Sequence, residues 1–295
     1  MKKKLISIIF SLILIFTCCS CTNNTIKSGE CLTVYFFDVG QADSSLLVFP
    51  DDTTVLIDAG NRADGQNIAD FLKRGGIDTL DYFVCTHPHE DHIGGAEDIF
   101  DSLKVNTVCM PKIDEGFYEP TATYNRLLES IKDENCETVY LTAGTLLLEK
   151  ENYSIEALAP GKDSIYSDLN DYSIVLLIDY YTNTLLFTGD AEKASEQEIL
   201  QTNKNIDTDI LKVGHHGSRD SSIEEFIKKV TPQAAVVSCG KDNTYDHPHT
   251  EALERFEKIG AKVYRTDTVG TVIARLYDGG FNIETDNTIE LDGNK

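Results

Sequence analysis

Six consecutive positions constrain this chain more than any other stretch. His87-Pro88-His89-Glu90-Asp91-His92 places three imidazoles and, among its two acidic residues, the carboxylate of Asp91 directly after the apolar run Tyr82-Phe83-Val84-Cys85. Such a run reads as a buried strand, so the cluster falls in the loop where that strand ends, before a helix that begins near Gly94. Imidazole nitrogen and carboxylate oxygen suit zinc, manganese or iron, and three His plus one Asp exceed what a single catalytic ion with an open water position takes from protein. Two divalent ions follow, with His87 and His89 serving one and Asp91 and His92 the other. A merely solvated polar loop is the competing explanation, but a lone His is far commoner in such loops than four metal-type ligands at this spacing.

The rest of the pattern says what scaffold carries that loop. Leu32 to Val39, Ser44 to Phe49 and Thr54 to Ile57 are β-branched and aromatic runs separated by turn residues. A helix-spaced segment, Ile68 to Lys73, precedes the metal loop. Beyond it come helix 96 to 103, strand 105 to 110, helix 123 to 132 and strand 138 to 141. A second strand-rich block, Thr145 to Leu158, Ser173 to Asp179 and Thr184 to Phe187, leads into helices 192 to 200, 223 to 229 and 251 to 259, alternating with strands 210 to 213, 234 to 238 and 262 to 264. Strands 271 to 277 and 281 to 284 close the chain. Two strand blocks, each followed by alternating helix and strand, predict two sheets packed face to face with helices outside. No linker separates the halves, so residues 31 to 290 form one domain.

The N-terminus reads differently. Lys2-Lys3-Lys4 precedes an apolar run from Leu5 to Phe16, the layout of a secretory signal, and the run is short for a permanent span. It ends in Thr17-Cys18-Cys19-Ser20-Cys21, which resembles a bacterial lipoprotein cleavage box with the lipid on Cys18 or Cys19. Residues 1–21 are therefore expected to be the signal peptide and 22–30 a polar tether, leaving an exported protein lipid-anchored on the outer face of the cytoplasmic membrane. The five later cysteines, Cys31, Cys85, Cys109, Cys136 and Cys239, are odd in number and mostly sit in strand-like runs, so they read as small buried hydrophobes, with room for one disulfide. A formal charge of −23 disfavours a wide footprint on a nucleic-acid backbone, though not local phosphate chemistry at a metal pair.

The loop motif H-x-H-x-D-H-x-G-G resembles the metal motif of the metallo-β-lactamase superfamily. Phe36 to Ser44, Leu56 to Gly60, Phe187 to Asp190, Val213 to Ser218 and Tyr245 to His249 then follow in the order of the hydrolase domain of ComEC-type DNA-uptake proteins. That resemblance implies an α/β fold, the four-layered αββα sandwich, and a bridging role between two ions for Asp190, which as a bare sequence position could equally cap a helix. Asp58 is expected behind the metals, orienting His89 or His92, and Asp38 and Asp43 at the pocket floor. Ala42 stands where the family usually has Gly. One downstream histidine should complete the second shell. His247 fits by position, leaving His215 or His216 to contact the reacting oxyanion or protonate the leaving group, with the exchanged roles as the alternative. Ser218 and Asn243 are candidates for hydrogen bonds to the substrate. No His lies between His92 and Asp190, so Asn170 stands where many members have a third ligand to the first ion. It is open as ligand, substrate contact or turn residue, and an oxygen there would relax selectivity from zinc toward manganese.

The expected activity is that of a dinuclear-metal phosphodiesterase acting on DNA or on a cell-wall phosphodiester such as teichoic acid. The alternatives are a hydrolase of lactones, β-lactams or other small esters, and a surface binding protein without turnover.

Overall fold

The computed structural model describes residues 29–113 and 119–294; the expected signal peptide, and all of the tether but its last two residues, lie outside them. Fifteen strands form two sheets. In chain order they are β1 (Leu32–Phe36), β2 (Ser45–Val48), β3 (Thr54–Ile57), β4 (Thr79–Val84), β5 (Lys104–Pro111), β6 (Glu137–Leu141), β7 (Leu146–Glu149), β8 (Tyr153–Ala159), β9 (Val175–Tyr180), β10 (Asn183–Phe187), β11 (Ile210–Lys212), β12 (Ala234–Val237), β13 (Lys262–Arg265), β14 (Thr271–Tyr277) and β15 (Gly280–Asp286). One sheet runs β15-β14-β1-β2-β3-β4-β5-β6 and the other β13-β12-β11-β10-β9-β8-β7.

Side-chain alternation explains why the sheets stack. Along β1, Leu32, Val34 and Phe36 point to one face while Tyr35 points to the other; on β9, Leu176, Ile178 and Tyr180 oppose Val175 and Leu177. The first set of each meets in a central apolar layer, where the Phe36 and Phe187 rings stack at 5.5 Å across the two sheets. The second set meets helices: 65–74, 96–102 and 122–134 on one side, 193–201, 224–230 and 250–259 on the other. Three apolar layers between four layers of secondary structure make the αββα sandwich. The chain also packs beyond residue 290, since Leu291 is buried and Gly293 N–H donates to Asp64 Oδ1 at 2.8 Å.

Each sheet changes from antiparallel to parallel pairing partway across. β3, β4, β5 and β6 are parallel neighbours, as are β10, β11, β12 and β13. Parallel strands all end on the same side of their sheet, and loops leaving those ends are where α/β proteins gather ligands. The expected helix near Gly94 is split. Glu90–Ile93 forms one helical turn and Ala96–Ser102 a second helix, so Asp91 and His92 project from a helix rather than from an irregular loop. Gly95 sits so tightly against the segment after β3 that a Cβ there would lie 2.3 Å from the Ala59 carbonyl oxygen, which holds that helical turn over the strand ends.

Candidate metal centre

The loops after β3, β4, β10 and β11 converge, and they bring residues from both sheets together. Asp58, in a left-handed backbone conformation (φ 59°), follows β3. Its carboxylate accepts from Thr86 N–H at 2.8 Å, Thr86 O–H at 2.7 Å and His92 Nδ1–H at 2.7 Å. Of the two expected partners of Asp58, His92 is thus the one it holds. His87 and His89 follow β4, with His87 Nε2 facing His89 Nδ1 at 2.9 Å. Asp190 follows β10 and does not cap the next helix, whose cap position is Glu192. Its N–H donates to Ser173 Oγ at 3.0 Å. Gly189 before it has φ 50°, and a Cβ there would press on Ser173 and Thr86 at 3.0 and 3.1 Å.

After β11, His215 and His216 both adopt left-handed backbone conformations, φ 46° and 52°. Two consecutive non-glycine residues in that region are uncommon, and they turn both rings inward. His216 is buried, donates from Nδ1 to the Ser238 carbonyl at 3.0 Å, and so presents a bare Nε2 lying 3.2 Å from Asp91 Oδ2 and 3.7 Å from Asp190 Oδ2. His92 Nε2 lies 3.2 Å from Asp190 Oδ1. Asp91, His92, Asp190 and His216 thus offer ligand atoms within 4.8 Å of one another. His87 Nε2 stands 3.9 Å from Asp190 Oδ2, so it too approaches this carboxylate.

This donor set fits divalent cations. His92 Nε2, Asp190 Oδ1 and Asn170 Oδ1 are buried with no hydrogen-bond partner, an expensive condition for three acceptor atoms unless something electropositive lies between them. Burial pushes His87 well below the usual imidazole range and so leaves it neutral, as a ligand must be. His92 shows the opposite balance: burial disfavours its charge, but the carboxylates of Asp190, Asp58 and Asp91 outweigh it and raise its pKa well above the usual value. A cation supplies the same compensation. Asp43, Asp58 and His92 also lie close together, but Asp43 is already paired with Lys212 and Asp58 with Thr86 and the back of the His92 ring, so they support the site rather than forming another one.

Other expectations are corrected. His216, not His247, is the downstream imidazole in the ligand group. His247 lines the same cavity but falls outside that group, with Nδ1 3.5 Å from Gln41 Nε2. Counting histidines along the chain could not show this, because the left-handed turn at His215-His216 decides which ring points in. Asn243 is no substrate contact: Oδ1 accepts from Tyr245 and His247 N–H and Nδ2 donates to the Gly240 and His247 carbonyls, which uses its whole hydrogen-bonding capacity on its own loop. Ser218 is buried and its Oγ accepts from Asp220 N–H, a local turn.

Asn170 does reach the site, lining a cavity of about 340 Å³ with His89, Asp91, Asp190 and His215. Asp171 beside it caps the 193–201 helix, accepting from Glu192 and Ser195 N–H at 3.1 and 2.9 Å. Asp38 is bridged to Glu290 and is backbone support, whereas Asp43 lies beside the site, 3.6 Å from His216 Nδ1. Two contributors escaped the sequence reading. Glu192 Oε1 lies 2.8 Å from His215 Nδ1, leaving His215 Nε2 toward the cavity, 3.8 Å from Asp190 Oδ2. Lys212, buried in β11, donates to Asp43 Oδ2 at 2.7 Å, and a lysine inside the apolar run Ile210-Leu211-Lys212-Val213 was the available signal.

Comparison with known proteins agrees with this geometry. The sequence pattern described as Metallo-beta-lactamase superfamily matches residues 37–241. The chain is 33% identical over 278 residues to ComE operon protein 3 of Bacillus subtilis (strain 168), covering 88% of this chain and 34% of that protein. It is 30% identical over 257 residues to Recombination protein 2 of Haemophilus influenzae, covering 85% of this chain and 30% of the other. The chain therefore spans about a third of the length of these relatives. Among solved structures, a CmlA beta-hydroxylase E377D mutant shares the fold with a TM-score of 0.54 at 16% identity, over 84% of this chain and 54% of that one.

Proposed function

Because the chain belongs to the metallo-β-lactamase superfamily, we propose that it is a dinuclear-metal phosphodiesterase, reading its donor set as two half-sites that share Asp190. His87, His89 and the Asn170 oxygen would hold one ion, and Asp91, His92 and His216 the other. Such ions, when bound, activate water and neutralise charge on a phosphoryl oxygen. An amide oxygen in place of a third imidazole favours manganese over zinc.

The observation that carries the reading is His215. Its Nδ1 is tied to Glu192 and its Nε2 opens into the cavity beside Asp190, so it presents a positioned N–H to developing charge or to a leaving oxygen. Burial lowers its pKa, while the Asp190 and Glu192 carboxylates raise it, and the net direction is upward. One relative is named for recombination, which makes DNA a candidate substrate, and teichoic acid is the other candidate phosphodiester.

Residues 22–295 loaded with manganese or zinc should hydrolyse bis-p-nitrophenyl phosphate and single-stranded DNA and leave a cephalosporin intact. Cephalosporin turnover without phosphodiester turnover would overturn the assignment. His216→Ala should lose metal and rate together, whereas His215→Ala should keep both ions and lose on the order of 10²-fold in rate. Metal loss in His247→Ala with His216→Ala intact would reverse the ligand assignment.

The location is proposed from the N-terminal sequence: export, followed by lipid attachment at Cys18 or Cys19. Among the described residues no helix is long and apolar enough to cross a membrane. Replacing Cys18, Cys19 and Cys21 by Ser together should release the protein from the membrane fraction, and an unchanged fraction would refute lipid attachment.

A further inference from the structure

Tyr245 is 64% exposed, an unusual state for so large an apolar surface at the rim of a polar site. Tyr140, Tyr181 and Tyr277 are exposed too, but Tyr245 is the one that lines the metal-site cavity. Its ring lies nearly parallel to that of His247, at 5.7 Å between centroids and 25° between planes. His247 is itself buried, so the Tyr245 ring has a fixed, nearly parallel neighbour while most of its surface stays exposed.

The loop beneath is braced at both ends. Asn243 Oδ1 accepts from Tyr245 N–H at 3.1 Å and from His247 N–H at 3.0 Å, and Gln41 Oε1 accepts from Gly240 N–H at 3.0 Å. A flat, pre-set aromatic face beside a phosphate-cleaving centre matches the way single-stranded nucleic acids are held when sequence is not read. The net charge of −23 disfavours the usual alternative, a wide basic track along the phosphates, and so leaves more of the affinity for a nucleotide to stacking.

We infer that Tyr245, supported by His247, is a stacking platform for the unpaired nucleobase flanking the scissile phosphodiester; this rests on the phosphodiesterase reading and narrows its substrate class to single-stranded nucleic acid. Teichoic acid lacks a planar group and gains nothing from such a face. The metal-loaded protein should therefore be compared on two oligonucleotides of equal length and charge, one of thymidines and one of abasic tetrahydrofuran units. The wild type should show a KM for the thymidine strand lower by roughly 5- to 150-fold, the span of one base–aromatic stack.

Tyr245→Ala should collapse that ratio towards one and Tyr245→Phe should keep it, with metal content measured in each. A wild type that cleaves both strands with equal KM, or a preference that survives Tyr245→Ala, overturns the platform while leaving the phosphodiesterase standing. Failure to cleave bis-p-nitrophenyl phosphate and both strands removes the phosphodiesterase and the platform with it.

Discussion

Lys212 offers the sharpest test of how the site is supported. Its ammonium and the Asp43 carboxylate are each almost fully buried, 2.7 Å apart, and the ammonium also donates to the Val213 carbonyl at 3.2 Å. Coulomb attraction at that distance is about 6 kcal/mol for an effective dielectric near 20, before desolvation is subtracted. Removing one member of a buried pair strands the other charge and typically costs about 3–5 kcal/mol. Asp43 has little else to fall back on: its Oδ1 has no hydrogen-bond partner, and His216 Nδ1, 3.6 Å away, is given to the Ser238 carbonyl. Lys212→Met keeps the volume and removes the charge, so urea unfolding of the metal-free protein should report a loss of about 3–5 kcal/mol. Adding Asp43→Asn in the same chain should restore at least half of it, because no carboxylate is then left unpaired. A single-variant loss below about 1 kcal/mol, the range of a surface pair, or a double variant as unstable as the single one, would refute the argument.

Three further outcomes follow from the geometry. Asp58→Asn removes the carboxylate that accepts from His92 Nδ1, and chelator competition should show metal affinity down by roughly 10- to 100-fold; an unchanged affinity would mean His92 needs no orienting partner. Glu196 accepts from Ser222 and Ile223 N–H at 2.6 and 2.8 Å, but burial outweighs these bonds and raises its carboxyl to about 8. The folded state then keeps a proton that the unfolded chain releases. Its contribution is complete below roughly pH 4.5, the usual glutamate range, and is lost as pH rises toward 8. Metal-free wild type should therefore lose more stability than Glu196→Gln between pH 5 and 8, and parallel curves would sink the idea. Finally, Cys31, Cys85, Cys109 and Cys239 are buried free thiols, and burial pushes Cys109 and Cys239 up to about 12. In residues 22–295, which omit Cys18, Cys19 and Cys21, a thiol reagent should find at most Cys136 in the native state and all five remaining cysteines after unfolding, so a native count above one would show that the core opens.

The part of this structure that the sequence discloses is the part governed by local rules. Strand periodicity and the density of ligands from His87 to His92 locate the first half of the metal centre because strand, turn and ligands are neighbours in the chain. The hairpin from β9 to β10 is local in the same sense, whereas the cap of the 193–201 helix comes from Asp171, more than 20 residues upstream. What the sequence conceals depends on backbone handedness and on partners far away. Whether His216 or His247 faces Asp91 is set by two left-handed residues, which side-chain pattern does not reveal. Asn243 and Ser218 look like available donors until their own loops are seen to consume them. Glu192 reads as an ordinary helix-start acid until His215 is found beside it, and Lys212 needs Asp43, on the other sheet, before its burial makes sense.

The position of the site on both sheets has a consequence for the order in which the chain matures. His216 Nε2 meets Asp91 across 125 residues of sequence, and Ile174 N–H reaches the Thr86 carbonyl at 2.9 Å to close the same junction. Neither half alone can offer the full ligand set, so a partly folded chain that has formed only the first sheet carries His87, His89, Asp91 and His92 without Asp190 or His216. Full metal loading thus reports that the two sheets have docked, rather than that either has formed alone.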